Sequence, residues 1–312
     1  MSGRFVFVTI IILTLLIATP RAGATSIAFT LDGEGRITVP LEIGGVENPC
    51  FILDTATRRF GLSNQMADRH WAERVFKGSI NHVSSGGTVR LPLAKLHRIR
   101  FGDHEIETGY AAIYPDRTAG GPVKCGMLGF DAYHGYVMRL EGPARRINLS
   151  ANPGALARAG WRIVAAEYNN QGALLIDTEY RGQTITVMLA TGLSHTMIDY
   201  AAAKLLFPED FDGSPSTHPK PHGTTLARMG FLAPEREYDT LMLPDLAANG
   251  WPLGDVEAVV AHLPVRDQTG YMNAALLMIG ADILAGQDFA LDTRAHQLWV
   301  PPTDGIQQTA SQ

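Results

Sequence analysis

Two stretches decide how this chain is read: Phe51-Ile52-Leu53-Asp54-Thr55-Ala56 in the first half and Val187-Met188-Leu189-Ala190-Thr191-Gly192 in the second. Each is a short apolar run that breaks off at a small or acidic residue followed by threonine, the signature of a buried strand entering a turn. Outward from them the match continues. Ile37-Thr38-Val39-Pro40-Leu41-Glu42-Ile43 alternates like a half-buried strand and turns at Gly44-Gly45. Ala173-Leu174-Leu175-Ile176-Asp177-Thr178 does the same before Arg181-Gly182. Both patterns predict a hairpin. A short segment from Leu62 to Arg69 follows the first stretch, and a helix from about Asp199 to Leu206 follows the second.

The halves also close alike. Gly126-Met127-Leu128-Gly129-Phe130-Asp131 precedes Tyr136 to Leu140 and Arg146 to Leu149, a closing hairpin. Leu277-Met278-Ile279-Gly280-Ala281-Asp282 precedes Phe289 to Asp292 and Gln297 to Val300 in the same order. An internal repeat on this scale is the strongest statement the sequence makes about its architecture.

The 312 residues suffice for one large or two modest domains, and 46% hydrophobic against 18% charged residues excludes a disordered chain. Its 32 glycines and 18 prolines punctuate short apolar runs, which favours many short strands over long helices. At the start, Arg4 supplies a positive charge, Phe5 to Ala18 carries none, and Ala22-Gly23-Ala24 is an A-x-A site. Residues 1–24 are therefore expected to be a signal peptide, because so short an apolar run falls short of the roughly 20 residues that span a bilayer. Removing Arg4 and Arg21 leaves 24 basic against 31 acidic residues, a net of −7, which speaks against nucleic acid or anionic lipid as partners. Cys50 and Cys125 are the two cysteines, and an oxidising compartment allows one disulfide.

A hairpin leading into apolar-apolar-Asp-Thr-Gly, with an apolar-apolar-Gly strand later, is the lobe pattern of pepsin- and retropepsin-type aspartic peptidases. The chain resembles that family over about residues 35 to 300. The resemblance implies an all-β fold, mainly β with short helices, in which two similar acid-protease-type β-barrel lobes flank a central cleft. It implies a first lobe over 25–150, a linker over 151–160, a second lobe over 161–300 and a polar tail over 301–312. Asp54-Thr55-Ala56-Thr57 takes the place of the first Asp-Thr-Gly-Ser/Thr motif, and Ala190-Thr191-Gly192-Leu193 that of the second. Gly129 and Gly280 close the supporting strands, and Val83 to Thr88, with Ser85 and Gly86 at its centre, falls where a flap would cover substrate. The strands leading to Asp54 and Gly129 run side by side in the family, which implies a Cys50–Cys125 bridge across the cleft floor. Two buried free thiols are the alternative, as an unrelated all-β sandwich is for the fold.

The departures bear on chemistry. Aspartic peptidases need two carboxylates close enough to share one proton: one activates water while the other hydrogen-bonds the scissile carbonyl. Ala190 has no titratable atom, so the second role is vacant. Loss of one member of a catalytic set costs about 10⁴- to 10⁶-fold in rate in a serine protease. Ala56 replaces a glycine, Leu193 replaces a hydroxyl, and Arg58 and Arg59 are expected to hold Asp54 ionised. Asp177 and Asp199 are expected to be turn or cap carboxylates, and His195 a surface histidine, rather than substitute acids. His218-Pro219-Lys220-Pro221-His222 is an exposed loop without a third metal ligand, within a Pro- and Gly-rich stretch from Phe207 to Gly223. No cofactor is expected. The reading that follows is a periplasmic or secreted, monomeric pseudopeptidase that holds extended peptide in its cleft. The alternatives are an active aspartic endopeptidase using Asp54 with a substitute group, and a purely structural envelope protein.

Overall fold

Both halves of the chain begin with the hairpin their alternation dictates, in a computed structural model that describes residues 25–302 apart from 70–71, 85–86, 119–120, 123–124, 170, 212–217, 229–234 and 264–274. The first hairpin pairs Ile37–Ile43 with Val46–Leu53, and the second pairs Leu174–Tyr180 with Gln183–Leu189. Gly44 (φ 62°) and Gly45 (φ 84°) make one turn, and Arg181 (φ 51°) and Gly182 (φ 71°) the other. Two consecutive left-handed residues match the right-handed twist of the strands they join, which is why glycine recurs there. Ile37, Val39, Leu41 and Ile43 are all buried, the period-2 face that fixes the register. That register slips between Val39 and Leu41, at Pro40, which has no N–H to give the ladder.

The molecule is mainly β with short helices. One eight-stranded sheet runs Thr30–Leu31, Ile37–Ile43, Val46–Leu53, Gly126–Leu128, Phe60–Ser63, His104–Tyr114, Gly87–Phe101, Ala72–Ser84. A second runs Glu167–Tyr168, Leu174–Tyr180, Gln183–Leu189, Leu276–Ile279, Met197–Asp199, Trp251–Ala261, Glu235–Ala248, Gly223–Arg228. Strand for strand the order is the same. The pairing sense matches too: Val46–Leu53 is parallel to Gly126–Leu128, and Gln183–Leu189 is parallel to Leu276–Ile279. A third, six-stranded sheet takes three strands from each half, with Val137–Glu141 and Asp288–Asp292 antiparallel at its centre. One apolar cluster contains Ile37, Phe51 and Leu53 from the first half together with Leu174, Val187 and Leu189 from the second.

A short helix follows each motif. Asn64–Ala67 is capped by the Ser63 hydroxyl, and Tyr200–Leu206 by the Asp199 carboxylate. The segment between the halves holds a helix of its own, Gly154–Arg158. Of the Phe207–Gly223 stretch, Pro208–Asp210 forms a 3₁₀ turn, while residues 212–217 lie outside the described residues. The expected signal peptide, 1–24, and most of the polar tail, 303–312, also lie outside them. No helix among the described residues is long and apolar enough to cross a membrane.

Cys50 and Cys125 form a disulfide with their Cα atoms 4.8 Å apart. It ties the strand that delivers Asp54 to the start of its short parallel neighbour, where Gly126 sits beside Phe51. The corresponding pair in the second half is Thr186 beside Leu276, so the staple belongs to one half alone. Replacing both cysteines by serine should lower the unfolding free energy by about 4 kcal/mol, from the loop entropy of a 75-residue span. Urea denaturation measures this; a loss near zero would mean that strand packing alone holds Gly126–Leu128.

Candidate functional site

The first motif leaves the end of Val46–Leu53, and the neighbouring strand holds it. The Asp54 N–H donates to Leu128 O at 2.9 Å, and the Phe130 N–H donates to Thr57 O at 2.9 Å. In the second half the Ala190 N–H donates to Ile279 O at 2.9 Å and the Ala281 N–H to Leu193 O at 2.8 Å. These bonds establish which residues correspond. Ala190 is the counterpart of Asp54, Gly192 of Ala56, Leu193 of Thr57 and Gly280 of Gly129.

The two motifs then lock to each other. Thr55 Oγ1 donates to Leu189 O at 2.8 Å and accepts from the Thr191 N–H at 3.2 Å. Thr191 Oγ1 donates to Leu53 O at 2.7 Å and accepts from the Thr55 N–H at 3.1 Å. Both side chains are fully buried, and a hydroxyl is the one small group that can donate and accept at once. Behind them, Gly129 and Gly280 stand where no side chain fits. A Cβ on Gly129 would lie 2.5 Å from Arg59 O, and one on Gly280 would lie 2.7 Å from the His195 carbonyl carbon. The recurrent apolar-apolar-Gly pattern therefore reflects backbone packed on backbone.

This lock brings Asp54 against the other half. A Cβ on Gly192 would lie 2.5 Å from Asp54 Cγ. The carboxyl accepts from the Ala56 N–H at 2.9 Å, and the Gly192 N–H is also directed at it. Burial raises the Asp54 pKa above its ordinary value; the two N–H groups and the charge of Arg36 oppose the rise without cancelling it. The expectation that Arg58 and Arg59 hold Asp54 ionised is thereby corrected. Arg58 is exposed and pairs with Asp131 at 3.4 Å, and the cation whose field reaches Asp54 is Arg36. Arg36 itself is clasped by Asp32 at 2.7 Å and Glu34 at 3.3 Å.

Arg36 escaped sequence reasoning because it precedes the hairpin and only the fold carries it near the motif. Two buried tyrosines escaped for the same reason. Tyr114 and Tyr133 have their pKa values raised, first by burial and in part by the charge of Asp54. The Tyr114 hydroxyl reaches Met127 Sδ at 3.8 Å, while that of Tyr133 has no partner among the described residues.

The remaining candidates lie elsewhere. Asp177 is exposed and accepts from Thr186 Oγ1 at 2.7 Å; Asp199 is buried and accepts from the N–H groups of Ala201 and Leu263, each at 3.0 Å. His195 is partly exposed near Asp282, a carboxylate held by the Thr196 N–H at 2.8 Å and its hydroxyl at 2.9 Å. His218 bonds Tyr200 at 2.8 Å, whereas His222 accepts from the Met242 N–H at 2.9 Å; no cluster of three metal-ligating side chains occurs among the described residues. The hairpin of Ala72–Ser84 and Gly87–Phe101 pairs as far as Ser84 with Gly87, and its tip, Ser85 and Gly86, lies outside the described residues.

The site is thus one partly buried carboxylate on a two-fold backbone frame. No ionisable side chain from the second half hydrogen-bonds Asp54 among the described residues. A single carboxyl can accept or donate one proton, whereas a two-acid catalyst shares one proton between two carboxyls. No protein-family model and no curated protein sequence matches the chain.

Thr55→Ala and Thr191→Ala should each cost about 1–3 kcal/mol in urea denaturation, because each orphans a buried N–H and carbonyl. The double variant should lose less than the two together, since they break one shared unit. Asp54→Asn tests the electrostatics. The folded pKa lies above the model-compound value of 3.8, so folding favours the protonated acid. That contribution is complete below about pH 4 and is lost as pH rises through the raised folded value. The stability of Asp54→Asn relative to the parent should therefore grow from pH 4 to 7, and a pH-independent difference excludes the assignment.

Proposed function

We propose that the chain is an exported aspartic-peptidase-like protein that no longer cleaves and instead holds an extended segment of polypeptide between its halves. The observation that carries this reading is the identity of the residue opposite Asp54. Ala190 occupies the counterpart position by its hydrogen bonds, and it can neither share a proton nor polarise a carbonyl. The geometry repeated in the two halves supports binding in place of chemistry, since the Thr55–Thr191 lock and the closely packed glycines form the frame of a two-acid site without its second acid.

Each eight-stranded sheet ends in a hairpin whose outer strand, Ala72–Ser84 or Gly223–Arg228, is the last strand of its sheet among the described residues. An extended peptide can add to such an edge through main-chain bonds, with alternate side chains entering pockets. In this reading a single chain supplies both halves and acts as a monomer in the periplasm or outside the cell. Its net negative charge suits a peptide partner and disfavours nucleic acid.

The test incubates the mature chain and Asp54→Asn with a fluorescent peptide library between pH 3 and 7, following binding by polarisation and cleavage by mass spectrometry. Retained peptides with no cleavage by either protein are the expected result. Cleavage that vanishes in Asp54→Asn would establish an active peptidase and overturn the proposal. Neither binding nor cleavage would leave the structural envelope role and overturn it equally.

A further inference from the structure

Ala56 and Gly192 are counterparts in the two motifs, yet one carries a methyl group and the other does not. At Gly192 the reason is visible. A Cβ there would lie 2.5 Å from Asp54 Cγ, 2.7 Å from its Oδ2 and 2.8 Å from its Cβ, closer than side-chain atoms pack. Glycine at 192 is therefore required by the side chain at 54, its Cβ included. By the correspondence of the two motifs, the counterpart of the Asp54–Gly192 pair is the pair Ala190–Ala56. Ala190 is 1% exposed, and Ala56 packs on the apolar cluster that contains Ala190, Leu193 and Met278.

We propose that Ala56 closes the second acid position: its methyl occupies the volume that a carboxyl at residue 190 would need, so that residues 56 and 190 are sterically coupled. The single-acid site is then a filled, apolar contact and not a vacancy left by a lost side chain. The consequence is specific. Restoring the acid at 190 alone drives it into the Ala56 methyl, and a second carboxylate fits beside Asp54 only when residue 56 is glycine. The Ala56 N–H that holds Asp54 at 2.9 Å survives a change to glycine, so Ala56→Gly removes the methyl and nothing else from the site.

The inference concerns packing and stands apart from peptide binding, so it fails or survives independently of the proposed function. The experiment is a thermal-unfolding cycle on the mature chain with Ala56→Gly, Ala190→Asp and the double variant at pH 4 and pH 7. Ala190→Asp should lower Tm by roughly 3–10 °C, the usual scale of overpacking in a chain of this size. Adding Ala56→Gly should recover at least half of that loss, although glycine by itself lowers Tm slightly. Losses that simply add overturn the proposal.

Ala190→Asn carries the same volume without charge and serves if the aspartate variant does not fold. Rescue of the asparagine by Ala56→Gly is expected; rescue of the aspartate alone would make the effect electrostatic and sink the steric claim. The mirror pair gives an independent reading. Gly192→Ala should lower Tm, and Asp54→Gly in the same chain should recover part of that loss, because it removes all three atoms that the new methyl would meet. A Gly192→Ala variant as stable as the parent would overturn the geometry on which the proposal stands.

Discussion

Two threonines hold the centre of this protein together. Thr55 and Thr191 each donate a hydrogen bond to a carbonyl of the opposite half and accept one from its backbone N–H, so four strand-end groups that water cannot reach are satisfied by two hydroxyls. Each bond contributes only about 0.5–1.5 kcal/mol net, but an unmade one costs the full desolvation of a buried group. The exchange therefore works more as a constraint than as a source of stability. With it satisfied, the two motif loops meet in one register, and that register sets Asp54 against Gly192.

On this symmetric frame the side chains are not symmetric. Asp54 lies against Gly192, whereas its counterpart Ala190 belongs to an apolar cluster on which Ala56 packs. The acid that follows the strand glycine is Asp131 in one half, paired with an exposed arginine, and Asp282 in the other, tied to Thr196 and near His195. Cys50 is bridged to Cys125, whereas its counterpart Thr186 hydrogen-bonds the exposed Asp177 across its own hairpin. Backbone geometry is repeated because both halves must solve the same packing problem. The polar chemistry is free to differ because each half sees it only once.

The electrostatics of Asp54 follow from that placement. Two N–H donors and the charge of Arg36 favour the ionised form, while desolvation favours the neutral one, and desolvation prevails. A two-acid site would raise one carboxyl by like-charge repulsion; here the same direction is reached by desolvation alone.

Much of this was legible in the chain itself. The strand patterns of Ile37 to Ile43 and Ala173 to Thr178, the paired glycine turns, the capping Asp199 and the two apolar-apolar-Gly strands all declare themselves locally, because strand periodicity and turn chemistry act over a few residues. Their recurrence determined an all-β chain built twice over, with Asp54 and Ala190 in matching places. What lies around Asp54 was settled only by the tertiary structure. Arg36, Tyr114 and Tyr133 come from elements distant in the chain, Arg58 turns outward despite its nearness in sequence, and the closeness of Gly192 to the Asp54 carboxyl exists only once the halves are locked. A sequence specifies its neighbours along the backbone, whereas charge and steric contact act through space, and space is assigned by the fold.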